Sequence, residues 1–104
     1  MDAVADYANT NGWLVAHFAA GITASGRAFT TPTRYDASGF PYLTMVRGAR
    51  IVFAELKRKG VRALSDTQQI WSRALIQAET GNPGVEWHLW NPLDWDEIER
   101  TLRR

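Results

Sequence analysis

A chain of 104 residues with 45% hydrophobic and 22% charged positions matches one folded domain with a single modest core, and leaves no room for two. The net charge of +1 is too small to argue for a nucleic-acid partner, and the lack of cysteine excludes a disulfide framework, a thiolate zinc site and a cysteine nucleophile. No apolar run approaches the ~20 residues that span a bilayer, and MDAVADYANTNG lacks the basic and apolar regions of a signal peptide, so an intracellular, cytoplasmic protein with no membrane partner is expected.

Residues 3–10 place Ala3, Val4, Tyr7 and Ala8 at helical spacing and lead to Gly12, suited to the positive φ of a helix end. WLVAHF, residues 13–18, is apolar and partly β-branched and predicts a strand. From Ala19 to Pro41 the chain is rich in Gly, Ser, Thr and Pro without a sustained period, which predicts a long loop. Strands are expected at 42–47 and 50–57, joined by Gly48-Ala49 as a two-residue turn with glycine in the strained first position. Ser65 followed by Gln68 has the pattern of a capping box, and Ile70, Trp71, Ala74, Leu75 and Ala78 then fall on one face of a helix ending at Gly81. VEWHLW, residues 85–90, is a further strand. After Asn91-Pro92, Asp94 is expected to cap a last helix, with Glu97 three residues on and Trp95, Ile98 and Leu102 facing inward.

The order αβββαβα defines an α/β fold, in which a strand, an antiparallel hairpin, a crossover helix and a parallel strand make a mixed sheet with helices on its faces. Trp71, Trp87 and Trp95 are expected in the core, and Trp90 is a candidate to stand exposed and stack on a base. His17 and His88 lie too far apart in sequence to imply a zinc pair.

The hairpin register follows from its turn. With Gly48 and Ala49 as the turn residues, Arg47 faces Arg50, paired positions share a constant sum, and Tyr42 falls opposite Glu55. Directly opposed Cβ atoms are ~4.5–5.5 Å apart, the separation at which two carboxylates share a metal ion. Lys57 emerges on the same face as Glu55, while Leu56 points the other way and its carbonyl lies along the strand edge. One face would thus present position 42, Glu55 and Lys57. Phosphodiester hydrolysis needs a hard cation to neutralise the phosphate and activate water, and a positive group for the developing charge. Carboxylate and carbonyl oxygens suit Mg2+ or Mn2+, and a lysine stabilises the transition state.

Taken together, GFPYLTMVRGARIVFAELK, LSDTQQIW and VEWHLWNPLDWDEIERTL resemble the VRR-NUC (virus-type replication-repair nuclease) domain, a minimal branch of the PD-(D/E)xK nuclease superfamily. The resemblance runs from about Gly12 to Leu102. It implies an αβββαβ core and a Mg2+- or Mn2+-dependent endonuclease acting on branched DNA, similar to homodimeric Holliday-junction resolvases of phage or bacteria. It assigns Glu55 and Lys57 to the E-x-K motif, Gln68 to the helix glutamine three residues before Trp71, and metal binding to Glu55 and the Leu56 carbonyl. Where the family carries the aspartate of Gly-x-Pro-Asp, this chain has Tyr42, a phenol of ordinary pKa ~10 and a poor ligand for Mg2+. Its first helix also lacks the usual glutamate. Asp2 and Asp6 are candidate substitutes for that glutamate, and Asp36 is a candidate ligand in place of the aspartate that Tyr42 replaces.

The cations Arg47, Arg50, Arg58, Lys59 and Arg62 are the expected DNA-backbone contacts, four of the six residues in KRKGVR being basic. A resolvase cuts two strands at symmetry-related points, so a two-fold homodimer is expected, with Phe18, Phe29 and Tyr35, in or beside the long loop, as its exchanged contacts. Three functions stay open: a nuclease, a DNA-binding module that keeps the nuclease fold without cutting, and an interaction scaffold using exposed aromatics.

Overall fold

The computed structural model describes residues 3–17, 21–22, 28–29 and 38–104. Its elements in chain order are α1 (Ala3–Thr10), β1 (Leu14–His17), β2 (Gly21–Ile22), β3 (Ala28–Phe29), β4 (Leu43–Arg47), β5 (Arg50–Leu56), α2 (Asp66–Gly81), β6 (Val85–Trp90), a 3-10 turn (Pro92–Asp94) and α3 (Trp95–Leu102). The main sheet has the order β1-β4-β5-β6. β1 and β5 run antiparallel to β4, and β6 runs parallel to β5 after the α2 crossover. The expected mixed α/β sheet is present. In the stretch expected to be a loop without regular elements, β2 and β3 form a two-residue antiparallel pair.

The hairpin register agrees with the turn: Arg47 pairs with Arg50, and Leu43, the first residue of the ladder, pairs with Ala54. Gly48 opens the turn with φ +60°.

Alternation then divides the sheet into two faces. On one face Leu43, Met45, Val52, Ala54 and Trp90 are buried with Ala8 of α1, Trp13, and Ile98 and Leu102 of α3. Burying each of these larger aliphatic side chains contributes about 1.5–3 kcal/mol relative to exposure. Trp13 ties this layer together. Its indole N–H donates to the Leu102 carbonyl at 2.8 Å, and the Arg47 and Arg50 guanidinium carbons lie 4.6 and 4.9 Å from its ring centre. Arg47 donates in addition to the carbonyls of Asn11 (3.0 Å) and Leu102 (2.9 Å). Arg50 forms a two-pronged ion pair with Glu86 at 2.8 and 3.0 Å. Burial would raise the Glu86 carboxyl, but hydrogen bonds from Arg50 and His88 outweigh it and hold the group below its ordinary value.

The second face carries α2. Phe53 meets Phe40, which meets Trp71 of the helix, both edge-on. α2 starts as expected, with Ser65 Oγ accepting from the Gln68 N–H and Gln68 Oε1 from the Ser65 N–H. Its inward stripe is shifted, however. Trp71, Leu75 and Ala78 turn inward with Ser72, whereas Ile70 is 60% exposed and Ala74 is exposed. Ser72 fits indoors because its hydroxyl donates to the Gln69 carbonyl at 3.0 Å.

Two further expectations are corrected. Trp90 is fully buried rather than exposed, its indole N–H donating to Glu97 Oε2 at 2.8 Å, while Trp71, Trp87 and Trp95 are only half-buried. Asp94 does not cap α3 with its side chain. It is instead the partner of Asn91 in a capping box around the 3-10 turn, accepting from the Asn91 N–H at 2.9 Å. Pro92 supplies the preset φ that makes this tight turn favourable there.

Candidate functional site

β5 outruns β4. Its last pair with β4 is at Ala54, so Glu55, Leu56 and Lys57 extend beyond that strand, flanked among the described strands by β6 alone; Glu55 and Leu56 pair with Leu89 and Trp90, and the Lys57 N–H donates to the Trp90 carbonyl at 2.8 Å. Glu55 is only 7% exposed. Lys57 Nζ donates to Gln68 Oε1 at 2.9 Å, the same oxygen that receives the Ser65 N–H. Gln68 therefore does two things: it closes the capping box and it holds the lysine. Gly39 makes this possible from the other side. It has φ +84°, and a Cβ there would collide with the backbone of Thr67 and Gln68, so only glycine lets the chain entering β4 press against the start of α2.

Burial pushes the Glu55 carboxyl above its ordinary value of 4.5, against the opposing pull of the Lys57 ammonium and a backbone hydrogen bond at Leu56. Between the ordinary and the raised value the folded chain holds more protons than the unfolded one, so stability falls as pH rises through that window. Glu55→Gln should then raise the melting temperature by a few degrees at pH 7, each kcal/mol being worth about 4–8 °C in a domain of this size. The gain should shrink at pH 4. Thermal melts at the two pH values check this, and an equal gain at both would mean that charge burial is not the cause.

Tyr42 does not join Glu55 and Lys57. It precedes the first ladder pair, and its ring lies 5.5 Å from that of His17 and packs against the opposite face, beside Leu56 and Trp95. The pleat that would have carried it across to Glu55 begins one residue too late. There it helps line a cavity of about 480 Å3 between α1, α3 and the end of β5. No motif announces this cavity, because its walls come from four separated segments; the only sequence signal is the density of aromatic residues near Trp90 and Trp95.

The five expected backbone-contacting cations are not one patch. Arg47 and Arg50 sit at the turn end of the hairpin, about 23 Å along the strand from Lys57 at ~3.3 Å per residue, and both are engaged with Trp13 and its neighbours. Arg62 is paired to Asp94 at 2.6 and 2.9 Å, an ion pair that holds the Asp94 carboxyl below its ordinary value. Arg58 and Lys59 are exposed beside Lys57. His17 and His88 pair with Leu43 and Ala54, which pair with each other, so two strands separate them, about 14 Å at ~4.8 Å per strand. Asp6 is exposed on α1. Asp2, Asp36, Phe18 and Tyr35 lie outside the described residues, as does the side chain of Phe29.

Protein-family models, curated proteins and solved structures were each compared with this chain, and none matches. No helix among the described residues is long and apolar enough to cross a membrane.

The fit of Mg2+ or Mn2+ follows from the donors present. Among the described residues no three His, Cys, Asp or Glu side chains gather where they could hold a metal ion. The face of Glu55 offers, among the described residues, one carboxylate and, along the strand, the Leu56 carbonyl. The phenol that replaces a second carboxylate is a poor donor to a hard cation and packs on the other side of the sheet. This set does not fit a resident divalent cation.

Proposed function

We propose that this chain is a DNA-binding domain built on a VRR-NUC-type endonuclease site, directed at branched or junction DNA as a homodimer, with the type's metal-dependent cleavage impaired by Tyr42. The observation that supports it best is the meeting of Lys57 and Gln68 beside the buried Glu55 at the open end of the hairpin. Motif spacing points to the same three residues. In this reading Lys57 keeps two ammonium hydrogens for a phosphate oxygen while Gln68 fixes the third, and Arg58 and Lys59 flank the strand with further cations. Glu55, once ionised, is an acceptor that orients water near that phosphate.

The non-cutting form of this reading is favoured by the displaced Tyr42 ring. The deciding experiment compares the chain with Tyr42→Asp on branched DNA in low salt with Mn2+. Binding by both is expected, with strand cleavage by neither, since position 42 packs on the face opposite Glu55. Failure of either to bind branched DNA would sink the reading. Changing Arg58 and Lys59 to Ala should lower the slope of log affinity against log salt by about 0.9 for each duplex phosphate that is no longer neutralised. An unchanged slope would make these cations a solvated loop. The dimer predicts a light-scattering mass near twice 11.7 kDa at micromolar concentration.

A further inference from the structure

The cavity between α1, α3 and the end of β5 is not used by the Glu55, Lys57 and Gln68 cluster, yet the two share one residue. Val4, Tyr42, Leu56, Trp90 and Trp95 supply its walls, and Lys57 reaches it from the edge of β5. Its volume of about 480 Å3 falls within the ~300–1,000 Å3 typical of small-molecule sites, which combine apolar walls with a few polar groups.

Most of the polar atoms in the lining are already engaged. The Trp90 N–H donates to Glu97. Asn91 donates through Nδ2 to the Val61 carbonyl and accepts through Oδ1 from the Leu93 N–H. Among the described lining residues Lys57 is the only charged one, and its bond to Gln68 uses one of three ammonium hydrogens. What remains, among the described residues, is a slot with two aromatic walls, Tyr42 and Trp95, a floor at the buried Trp90 and a single cation. Flat π-faces stack on such walls for about 1–3 kcal/mol per ring. A cation in the lining selects a ring that carries an anion, since an acidic group meets no opposing carboxylate among the described lining residues.

We propose that this cavity binds a nucleotide, its base against Tyr42 and Trp95 above the buried Trp90 and its phosphate on Lys57. The nucleotide is either free or an unstacked unit of a DNA strand. The inference deepens the DNA-binding reading and rests on it only for the second source. It also gives Lys57 a place in both sites: the phosphate it holds stands between the base in the cavity and the Glu55 face.

The five tryptophan indole N–H signals in a 1H–15N spectrum test this directly. Thymidine 5'-monophosphate should shift the Trp90 and Trp95 indoles and leave Trp13 in place, with a dissociation constant below about 1 mM. Thymidine should bind about tenfold more weakly, and inorganic phosphate should not move the two indoles. Val4→Trp, which fills the cavity, and Lys57→Met should each weaken the mononucleotide at least about tenfold, with thermal melts confirming that both variants fold. If Val4→Trp does not fold, Leu56→Phe takes its place.

A five-residue thymidine strand that shifts the same indoles identifies a DNA unit as the ligand; shifts by the mononucleotide alone identify a free nucleotide. Unmoved indoles at about 10 mM mononucleotide, or shifts that persist undiminished in the filled-cavity variant, would overturn the proposal. Intact nucleotide shifts in a protein that binds no branched DNA would overturn the DNA reading and leave this one standing.

Discussion

Trp13→Ala should destabilise the protein by about 3–5 kcal/mol, the range for removing a large buried aromatic. Whole domains are stable by about 5–15 kcal/mol, so this one change should bring the chain near its unfolding threshold. The expectation rests on more than volume. Trp13 is 1% exposed, its N–H is bonded to the Leu102 carbonyl, and two guanidinium groups lie over its ring. Removing the ring leaves Arg47 and Arg50 half-buried above a void. Trp13→Phe separates the contributions, keeping a face for the cations while deleting the N–H, and should cost about 1–2 kcal/mol from the missing hydrogen bond. Urea denaturation of both variants measures the difference. A loss under about 1 kcal/mol for Trp13→Ala would show that the indole is not what joins α3 to the hairpin.

Gly39→Ala should be nearly as damaging, at about 3 kcal/mol. A left-handed conformation costs a non-glycine residue about 1–2 kcal/mol by itself. The remainder comes from overlap between the new Cβ and the Thr67–Gln68 backbone, which cannot rotate aside as a side chain would. Either the chain entering β4 or the start of α2 must move, and both routes disturb the Gln68 oxygen shared by Ser65 and Lys57. Chemical denaturation together with the Gln68 amide signal checks this. A loss below about 1 kcal/mol with an unmoved signal would mean that the two segments are not in firm contact.

The features legible in the sequence share one property: they are set by near neighbours. The hairpin register follows from a two-residue turn, the start of α2 from Ser65 and Gln68, and the parallel return of β6 from the helix that precedes it. Features that escape such a reading depend on partners distant along the chain. Trp90 is buried because Glu97 accepts its N–H, and nothing in VEWHLW shows that. Arg47 and Arg50 read as surface cations until Trp13 is found beneath them. Asp94 has two possible partners, and Asn91 claims it ahead of α3. The site is half legible for the same reason. Spacing along one strand brings out Glu55 and Lys57, but whether Tyr42 faces them depends on where the ladder begins, and it begins at Leu43.

The two ends of the hairpin are fastened very differently. At the turn end, Arg47 and Trp13 converge on the Leu102 carbonyl, so loosening any one segment means loosening three. At the other end, Glu55, Leu56 and Lys57 have run past β4 and, among the described residues, keep β6 as their sole strand neighbour. Amide protons near the turn should therefore exchange with solvent only through global unfolding, while those around Lys57 exchange through small, frequent openings. The molecule can yield around Glu55 and Lys57 and still keep its core closed.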